Sequence, residues 1–339
     1  MSRRDSGAVS ELPVVFVAFD GVQSIDVAGP YEVFAGAGEA AGSLGRRAGY
    51  RVRVASAHGG LVRTESGLEL GSVPLPGPGE WIDTLVLPGG TGATAASADP
   101  DLIAFVRAAA SRCRRVAAVC TGAFIAAAAG LLDGRRVTTH WAAAAGLQSE
   151  YPALEVDPGP LYIRDGQVWT SAGVTAGIDL ALAMVADDLG AGVAQTLARS
   201  MVMFLHRPGG QTQFAATAWA PRAARSAVRA VQDRVESAPG GDHRLPALAG
   251  AASMSVRHFT RVFTAEVGQS PGRFVERVRL DAARADLEAA DDTLEVVAGR
   301  CGLGSAESLR RVFHRHLGVS PDAYRRRFRT TAPDRGASA

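Results

Sequence analysis

Lysine and asparagine are absent from this chain of 339 residues, so its 36 strongly basic residues are all arginines. Cysteine is scarce: the chain contains only Cys113, Cys120 and Cys301, scattered without the spacing of metal ligands. An odd and unpatterned set of cysteines argues against a disulfide framework and fits a reducing cytoplasm. We therefore expect a cytoplasmic protein with neither a metal nor a cofactor.

Long hydrophobic runs are also missing. The apolar stretch at residues 123–132 has about half the roughly 18 residues that suggest a membrane span. The first residues carry arginines but no hydrophobic segment behind them, which a secretory signal would have. We expect no membrane span and no secretion signal, and we predict that segment 1–11 is disordered.

The charge that is present is unevenly distributed. The whole chain has a formal net charge of +2, but residues 222–330 contain 19 arginines against 13 acidic residues. The remainder contains 17 basic and 21 acidic residues. A basic C-terminal region beside a mildly acidic one indicates nucleic-acid binding. Ordinary scatter of charge between two domains is the alternative.

The first half of the chain alternates short apolar runs with helix-like stretches, which favours an open α/β sandwich. Near-continuous apolar runs are typical of parallel strands covered on both faces. We predict strands at 13–19, 50–56, 83–90 and 114–120, the second of them at a sheet edge. We predict helices at 99–112, capped by Asp99, and at 170–190, ending at Gly190.

The C-terminal region contains an internal duplication. Segments that begin at Ser255 and Ser305 match at ten positions, and every pair keeps the same offset of 50 residues. Each copy has the pattern of a helix-turn-helix whose second helix is capped by one of these serines. We place the two units at about 244–266 and 293–316, and we predict a capping box formed by Asp292 and Glu295.

The repeated pattern SxRxFxRxF followed by GxSPxxF resembles the AraC/XylS family of bacterial transcription regulators over residues 222–330. The resemblance implies an all-α double helix-turn-helix domain whose halves are bridged by a long helix at 271–290. Its recognition helices would enter major-groove segments about 34–36 Å apart. In the major groove, arginine donates two hydrogen bonds to guanine, serine and threonine can bond to any base, and glutamate accepts a hydrogen bond from cytosine. The DNA-binding candidates carried over by position are Arg257, Thr260, Arg261, Ala306, Glu307, Ser308, Arg310 and Arg311.

Cys120 ends an apolar run directly before an alanine-rich segment, as a nucleophile does at the tip of a strand. With the segments FDGVQSIDVAGPYEVF, LPGG and VTTHW, it resembles the ThiJ/PfpI superfamily, relatives of class I glutamine amidotransferases, over about 12–200. The resemblance implies a flavodoxin-like sandwich with Cys120 at an elbow, Asp26 as its acid, and LPGG amides available to an oxyanion. A helix N-terminus would favour the thiolate, and a carboxylate beside the thiol would oppose it unless it is protonated.

Two interpretations of this site stay open. The combination of Asp26, Cys120 and Thr121 also resembles the active-site residues of isonitrile hydratases, which favours a hydratase or hydrolase. Against catalysis, no His-x-Glu pair of a glutaminase occurs, and kinship of fold does not carry function. We therefore favour an effector pocket with Asp26, Cys120, Thr121 and His140 as vestigial or lining residues. Oxidation of Cys120 to a sulfenic acid is a further alternative.

Both halves together resemble GlxA-type regulators, a branch of the AraC family with an amidotransferase-like sensor. This resemblance implies a homodimer that binds promoter DNA, a small-molecule effector and RNA polymerase. Some relatives sense quaternary amines, for which Trp141 and Trp169 would supply cation–π contacts unless they belong to the core. We divide the chain into a sensor and dimerisation domain at 12–205, a linker at 206–221, a DNA-binding domain at 222–330 and a tail at 331–339.

Overall fold

The computed structural model describes residues 10–203, 205, 210–211 and 222–328, and the chain divides into two compact units after residue 212. Most of the segment predicted to be disordered, most of the linker and the whole of the tail lie outside the described residues. Ser10 and Glu11, which we had assigned to the disordered segment, already belong to the first strand. No helix within the described ranges is both long and apolar enough to cross a membrane.

The N-terminal unit is an α/β sandwich, as predicted. Its strands are β1 (Ser10–Val17), β2 (Ala48–Ser56), β3 (Gly60–Arg63), β4 (Glu69–Pro74), β5 (Thr84–Leu87), β6 (Arg115–Val119), β7 (Arg136–Val137), β8 (Glu155–Val156), β9 (Tyr162–Asp165) and β10 (Val168–Ser171). Its helices are α1 (Ser24–Ser43), α2 (Ala93–Ala98), α3 (Pro100–Ala110), α4 (Gly122–Ala128), α5 (Ala144–Glu150), α6 (Ala176–Leu189) and α7 (Ala191–Ser200).

Eight of these strands form one sheet in the order β3-β4-β2-β1-β5-β6-β10-β9. Neighbours from β4 to β10 are parallel, whereas the outer strands β3 and β9 run antiparallel to theirs. Side chains alternate between two cores: Val14 and Phe16 face α1, α6 and α7, and Val15 and Val17 face α2, α3 and α4. Burial on both faces explains why the central strands are apolar throughout.

Two predictions about this unit were wrong. Strand β2 is not at an edge, because the hairpin of β3 and β4 extends the sheet beyond it. Residues 170–190 are not one helix, because residues 168–171 form strand β10 and the helix begins only at Ala176. The helix does end at Gly190, and the side chain of Asp99 caps α3 as predicted.

A buried ionic network lies at the amino end of β6. Asp188, near the end of α6, accepts hydrogen bonds from Nη1 of Arg114 at 2.6 Å, from the Tyr50 hydroxyl at 2.7 Å and from the Arg115 guanidinium. Arg114 also binds Asp83 through Nε at 2.8 Å. Arg115 is only 2% exposed, so its charge depends on Asp188 for compensation.

The C-terminal unit is all-α, as predicted, with two cores. Its helices are α8 (Ser226–Ser237), α9 (Leu245–Ala251), α10 (Val256–Val267), α11 (Pro271–Ala289), α12 (Leu294–Arg300), α13 (Ala306–Leu317) and α14 (Pro321–Phe328). The first half gathers α8 to α10 around Phe263, together with the start of α11. The second half gathers α12 to α14 around Phe313, together with the rest of α11. Helix α11 therefore bridges the two halves.

The caps of the repeated helices agree with the duplication. The hydroxyls of Ser255 and Ser305 accept the backbone N–H of His258 and Ser308, and both helices end at a left-handed glycine. The predicted capping box is wrong by one residue: Thr293, not Asp292, caps α12 by accepting from Val296 N–H. The Asp292 carboxylate binds Arg300 instead, at 2.6 Å.

Candidate functional site

The residues predicted around Cys120 converge at the carboxyl ends of the central strands. Asp26 lies in the first turn of α1 after β1, Gly89 follows β5, Cys120 follows β6, and Val174 follows β10. Strand β1 is the point from which the chain goes out to β2 on one side and to β5 on the other. Open α/β sheets bind ligands outside the carboxyl ends of the strands at such a switch point.

The predicted elbow at Cys120 is confirmed by its backbone. Cys120 has a φ of 56°, in the left-handed region that L-residues rarely adopt. The surrounding chain approaches so closely that side chains are excluded: a Cβ on Gly173 would lie 2.1 Å from Cβ of Cys120, and one on Gly122 would lie 2.0 Å from the Leu87 carbonyl oxygen. The chain around Cys120 is therefore tightly packed.

Asp26 is the partner of the thiol, as predicted. Its carboxylate accepts the backbone N–H of Gly89 at 3.0 Å and that of Val174 at 2.6 Å, and it shares a hydrogen bond with Cys120. Val174 has a φ of 51°, which is unfavourable for a β-branched residue, and this backbone turns its N–H towards Asp26. Burial raises the pKa of Asp26 to about 6, against the lowering effect of these hydrogen bonds.

The surroundings of Cys120 oppose formation of the thiolate, which a helix N-terminus would favour. Burial raises the pKa of Cys120 well above that of a free thiol, and the negative charge of Asp26 raises it further. Both effects favour the protonated thiol, which shares a hydrogen bond with Asp26.

The amides of the LPGG segment are already used within the protein. Gly89 N–H donates to Asp26, and Gly90 N–H donates to the Thr121 hydroxyl at 2.9 Å. The expectation that these two amides are available to an oxyanion is therefore wrong for this conformation. Through this hydrogen bond, the Thr121 side chain joins the elbow to the loop after β5.

Glu65 also belongs to the site, although no pattern of residues indicated it. It lies in the turn between β3 and β4, where its carboxylate accepts from Nε2 of Gln23 at 2.5 Å and from Thr91 N–H at 2.9 Å. Its negative charge raises the pKa of both Asp26 and Cys120. Only the pairing of the hairpin brings this residue to the elbow, which is why residue spacing could not reveal it.

Within the described residues, the contacts of His140 are with its own neighbours and not with the Cys120 thiol. Its Nδ1 accepts the Ala142 N–H at 3.3 Å, its ring lies against Trp141, and burial lowers its pKa. The neighbouring Thr139 makes the connection instead, because its hydroxyl donates to the Cys120 carbonyl at 2.7 Å. Thr139 was part of the quoted VTTHW segment, but no role was predicted for it.

Gln211 also supports the site, and no role was predicted for it. It is 3% exposed and lies in the part of the predicted linker that the structure describes. Its side-chain amide donates to the Thr139 carbonyl at 2.8 Å and to the Thr138 hydroxyl at 2.9 Å. The end of the N-terminal unit is therefore hydrogen-bonded to the segment that supports Cys120.

Trp169 belongs to the core rather than to a ligand pocket. It is 4% exposed, and two guanidinium groups lie over its ring, that of Arg164 at 4.7 Å and that of Arg115 at 5.9 Å from the ring centroid. Both cation–π positions thus have partners within the protein. Of the two tryptophans considered for a quaternary amine, only Trp141 retains partial exposure.

The arginines of the first repeated helix face solvent. Arg257 and Arg261 of α10 are exposed, and Nη2 of Arg261 lies 3.2 Å from Nδ1 of His258. Thr260 is partly exposed, and its hydroxyl donates to the Val256 carbonyl one turn earlier. None of these side chains contributes to the apolar core of this half, so their polar groups face outward.

The second repeated helix presents a similar face, with one correction. Arg310, Arg311 and Glu307 of α13 are exposed, while Ser308 is partly exposed and accepts from Nη2 of Arg311 at 3.1 Å. Ala306 was predicted to lie on this face, but it is 2% exposed and packs in the core of the second half. The structure removes Ala306 from the set that DNA could reach.

The chain is similar to known proteins over both units. The family model described as DJ-1/PfpI matches residues 13–187, and one described as a helix-turn-helix domain matches residues 248–327. The HTH-type transcriptional regulator Rv1931c of Mycobacterium tuberculosis is 40% identical, with 74% of this chain and 97% of that protein aligned. The HTH-type transcriptional regulator GlxA of Rhizobium meliloti is 28% identical, with 85% and 89% aligned. Isonitrile hydratase of Pseudomonas putida is 33% identical, with 54% and 75% aligned.

Proposed function

Because this chain belongs to the DJ-1/PfpI family and carries an AraC-type helix-turn-helix domain behind that fold, we propose that it is a transcription regulator that binds promoter DNA. The expected resemblance to GlxA-type regulators is confirmed. The observation that carries the proposal is the duplication at a constant offset of 50 residues, in which each copy exposes arginines on its second helix. One exposed arginine is an ordinary surface feature, whereas two matched sets form the pattern of paired recognition helices.

The experiment that tests this proposal is recovery of bound DNA from the genome. The full-length protein is mixed with sheared genomic DNA at physiological salt, and the retained fragments are sequenced. We expect a small set of promoter regions that share one sequence motif. Uniform recovery of the genome would contradict the proposal, because it would reflect phosphate binding alone. Genes beside the recovered promoters would also indicate the chemical class of the effector.

We further propose that the N-terminal unit is a sensor of a small molecule and not a catalyst. The buried, protonated thiol and the occupied amides of the LPGG segment support this assignment. A ligand acts as a switch only if it binds one arrangement of the protein more tightly, by about 1–3 kcal/mol. A regulator of this kind works in the cytoplasm, where it contacts RNA polymerase at the promoter.

The second candidate function is a Cys120-dependent hydratase or hydrolase. It is favoured by the similarity to isonitrile hydratase and by the hydrogen bond between Cys120 and Asp26. In that case Asp26 would act as a general base that accepts the thiol proton during attack on the substrate. Hydration of an isonitrile by the wild type, and its loss in Cys120→Ala, would establish this function.

Thiol reactivity separates the two candidates. We expect labelling of Cys120 by iodoacetamide to stay slow up to about pH 9, because its pKa lies above the value near 8.5 of a free thiol. The Asp26→Asn variant removes the negative charge and should react faster at the same pH. Peptide mass spectrometry distinguishes Cys120 from the other two cysteines. A labelling midpoint at or below pH 8.5 in the wild type would contradict the sensor assignment.

We also propose that the N-terminal unit forms the homodimer through an apolar groove between α1, β2 and β4. This open groove has a volume of about 540 Å³, and most of the residues that line it are apolar, among them Val27, Tyr31 and Val54, although Glu32 and Arg53 also reach it. The adjoining hairpin exposes Leu61 by 69% and Val73 by 45%. Exposed apolar side chains grouped at the edge of a sheet mark an interaction surface.

A charge placed in this groove tests the dimer. We expect Val73→Glu to weaken the dimer about 10- to 100-fold, because the interface would have to bury a carboxylate in place of an apolar side chain. The matched control is Leu44→Glu at the end of α1, a similarly exposed apolar residue outside the groove. Light scattering across a dilution series measures both variants. Equal dimer stability in the two would contradict this location.

A further inference from the structure

The C-terminal unit contains contacts that join its two halves directly, in addition to the bridging helix α11. The first part of α11 packs into the core of the first half through Phe274 and Val278. Its later part packs into the core of the second half through Leu280 and Leu287. A side chain on the first part of α11 that binds α13 therefore fixes the position of one half relative to the other.

Glu276 is such a side chain. Its carboxylate accepts Nη1 of Arg315 at 3.1 and 3.0 Å and binds Nε2 of His316 at 2.6 Å. Both partners lie on α13, the second helix of the second helix-turn-helix. Burial raises the pKa of Glu276, but the contacts with His316 and Arg315 outweigh it and hold the pKa below its usual range. The carboxylate is therefore the stable form in this contact.

A second contact lies at the junction of the two cores. The Arg279 guanidinium donates to the carbonyls of Pro239 and Gly241 at 3.0 Å each, in the loop between α8 and α9. The turn after α12 packs against Arg279 and the loop between α8 and α9. A Cβ on Gly302 would lie 2.9 Å from Nε of Arg279, and one on Gly240 would lie 2.3 Å from the Arg300 carbonyl oxygen. Glycine at positions 240 and 302 lets the two backbones meet, which leaves little room for the halves to shift.

We propose that Glu276 is a positioning residue that fixes the separation of the two recognition helices, and thereby the spacing between half-sites that the protein accepts on DNA. The inference rests on the proposed DNA-binding function. Adding one base pair between two half-sites moves one of them by about 3.4 Å and rotates it by roughly 35°. Two halves held by Glu276 and by the Gly240–Gly302 contact cannot follow this change without breaking contacts.

The test is selection of bound duplexes from a random DNA library with the full-length protein. We expect the wild type to enrich two motifs at one spacing, and Glu276→Gln to enrich the same motifs over several spacings. On synthetic duplexes, the preference for the selected spacing over spacings one base pair longer or shorter should fall about three- to tenfold in the variant. Arg315→Gln, which keeps the His316 contact, should have a smaller effect in the same direction, and the double variant should lose no more than Glu276→Gln alone.

The matched control is Glu266→Gln, which removes the same charge from an ion pair within the first half. Glu266 binds Nε of Arg225 at 2.9 Å and makes no contact across the halves in the described structure. We expect it to keep the spacing preference of the wild type. The inference is overturned if Glu276→Gln keeps that preference, or if the wild type itself accepts several spacings. Failure of the wild type to enrich any sequence would instead overturn the proposed function.

Discussion

The double variant Arg261→Ala/Arg311→Ala is expected to bind its operator roughly 30- to 10⁴-fold more weakly than the wild type at the same salt concentration. Each lost arginine–base contact costs about 1–3 kcal/mol. The two arginines lie in different halves of the C-terminal unit and share no partner in the described structure, so we expect the losses to add. Each single variant should show about half the effect in free energy, measured by gel shift.

The matched control is Arg234→Ala, an exposed arginine on α8 outside both recognition helices. It removes the same charge, so it reveals how much of the loss comes from general attraction to phosphates. We expect less than about 1 kcal/mol for this control, because one phosphate contact is the most it removes. Unchanged affinity in both Arg261→Ala and Arg311→Ala would refute their assignment as DNA-contacting residues.

The second large effect concerns stability. We expect Asp188→Ala to lower the free energy of unfolding of the N-terminal unit by about 3–5 kcal/mol, because it removes the carboxylate that compensates the buried positive charge of Arg115. Urea unfolding followed by tryptophan fluorescence measures this change. Three of the four tryptophans, at positions 81, 141 and 169, lie in the N-terminal unit, and a Trp219→Phe background removes the fourth from the signal.

The neighbouring residue provides the control. Asp187 pairs with Arg164 at 2.9 Å on the surface, where the Arg164 side chain is 53% exposed, and Asp187→Ala should cost less than about 1 kcal/mol. Burial raises the pKa of Asp188, but Arg114, Arg115 and Tyr50 together hold it below its usual value. The difference between the wild type and Asp188→Ala is therefore fully present above about pH 4. This difference in stability is lost as the pH falls through the lowered pKa of Asp188. Similar stability of Asp188→Ala and Asp187→Ala at pH 7 would contradict the stabilising role of the buried ionic network.

The sequence predicted the central strands because burial on both faces leaves a continuous apolar run. It failed for the hairpin of β3 and β4, whose residues are largely exposed and therefore carry no such pattern. The pairing of that hairpin, which is not local, decides that β2 is internal and brings Glu65 to Cys120. The elbow itself was predictable from a local pattern, whereas its amide partners and raised pKa depend on how four loops pack together.

Ala306 shows the limit of an argument from repeats. The offset of 50 residues pairs it with Val256, which is 41% exposed. The turn before α13 comprises residues 301–305, one more than the turn before α10, residues 252–255. The capping serines also differ, with a φ of −66° at Ser255 and −145° at Ser305. The chain therefore enters α13 along a different path, which directs Ala306 into the core.

The side-chain amide of Gln211 links the elbow at Cys120 to the end of the N-terminal unit. One hydrogen bond leads from Gln211 to the Thr139 carbonyl, and another leads from the Thr139 hydroxyl to the Cys120 carbonyl. A ligand that lifts the elbow strand by a fraction of an ångström must pull on this relay or break it. In either case the hydrogen bonds of Gln211 change, and Gln211 is the last described residue before the C-terminal unit.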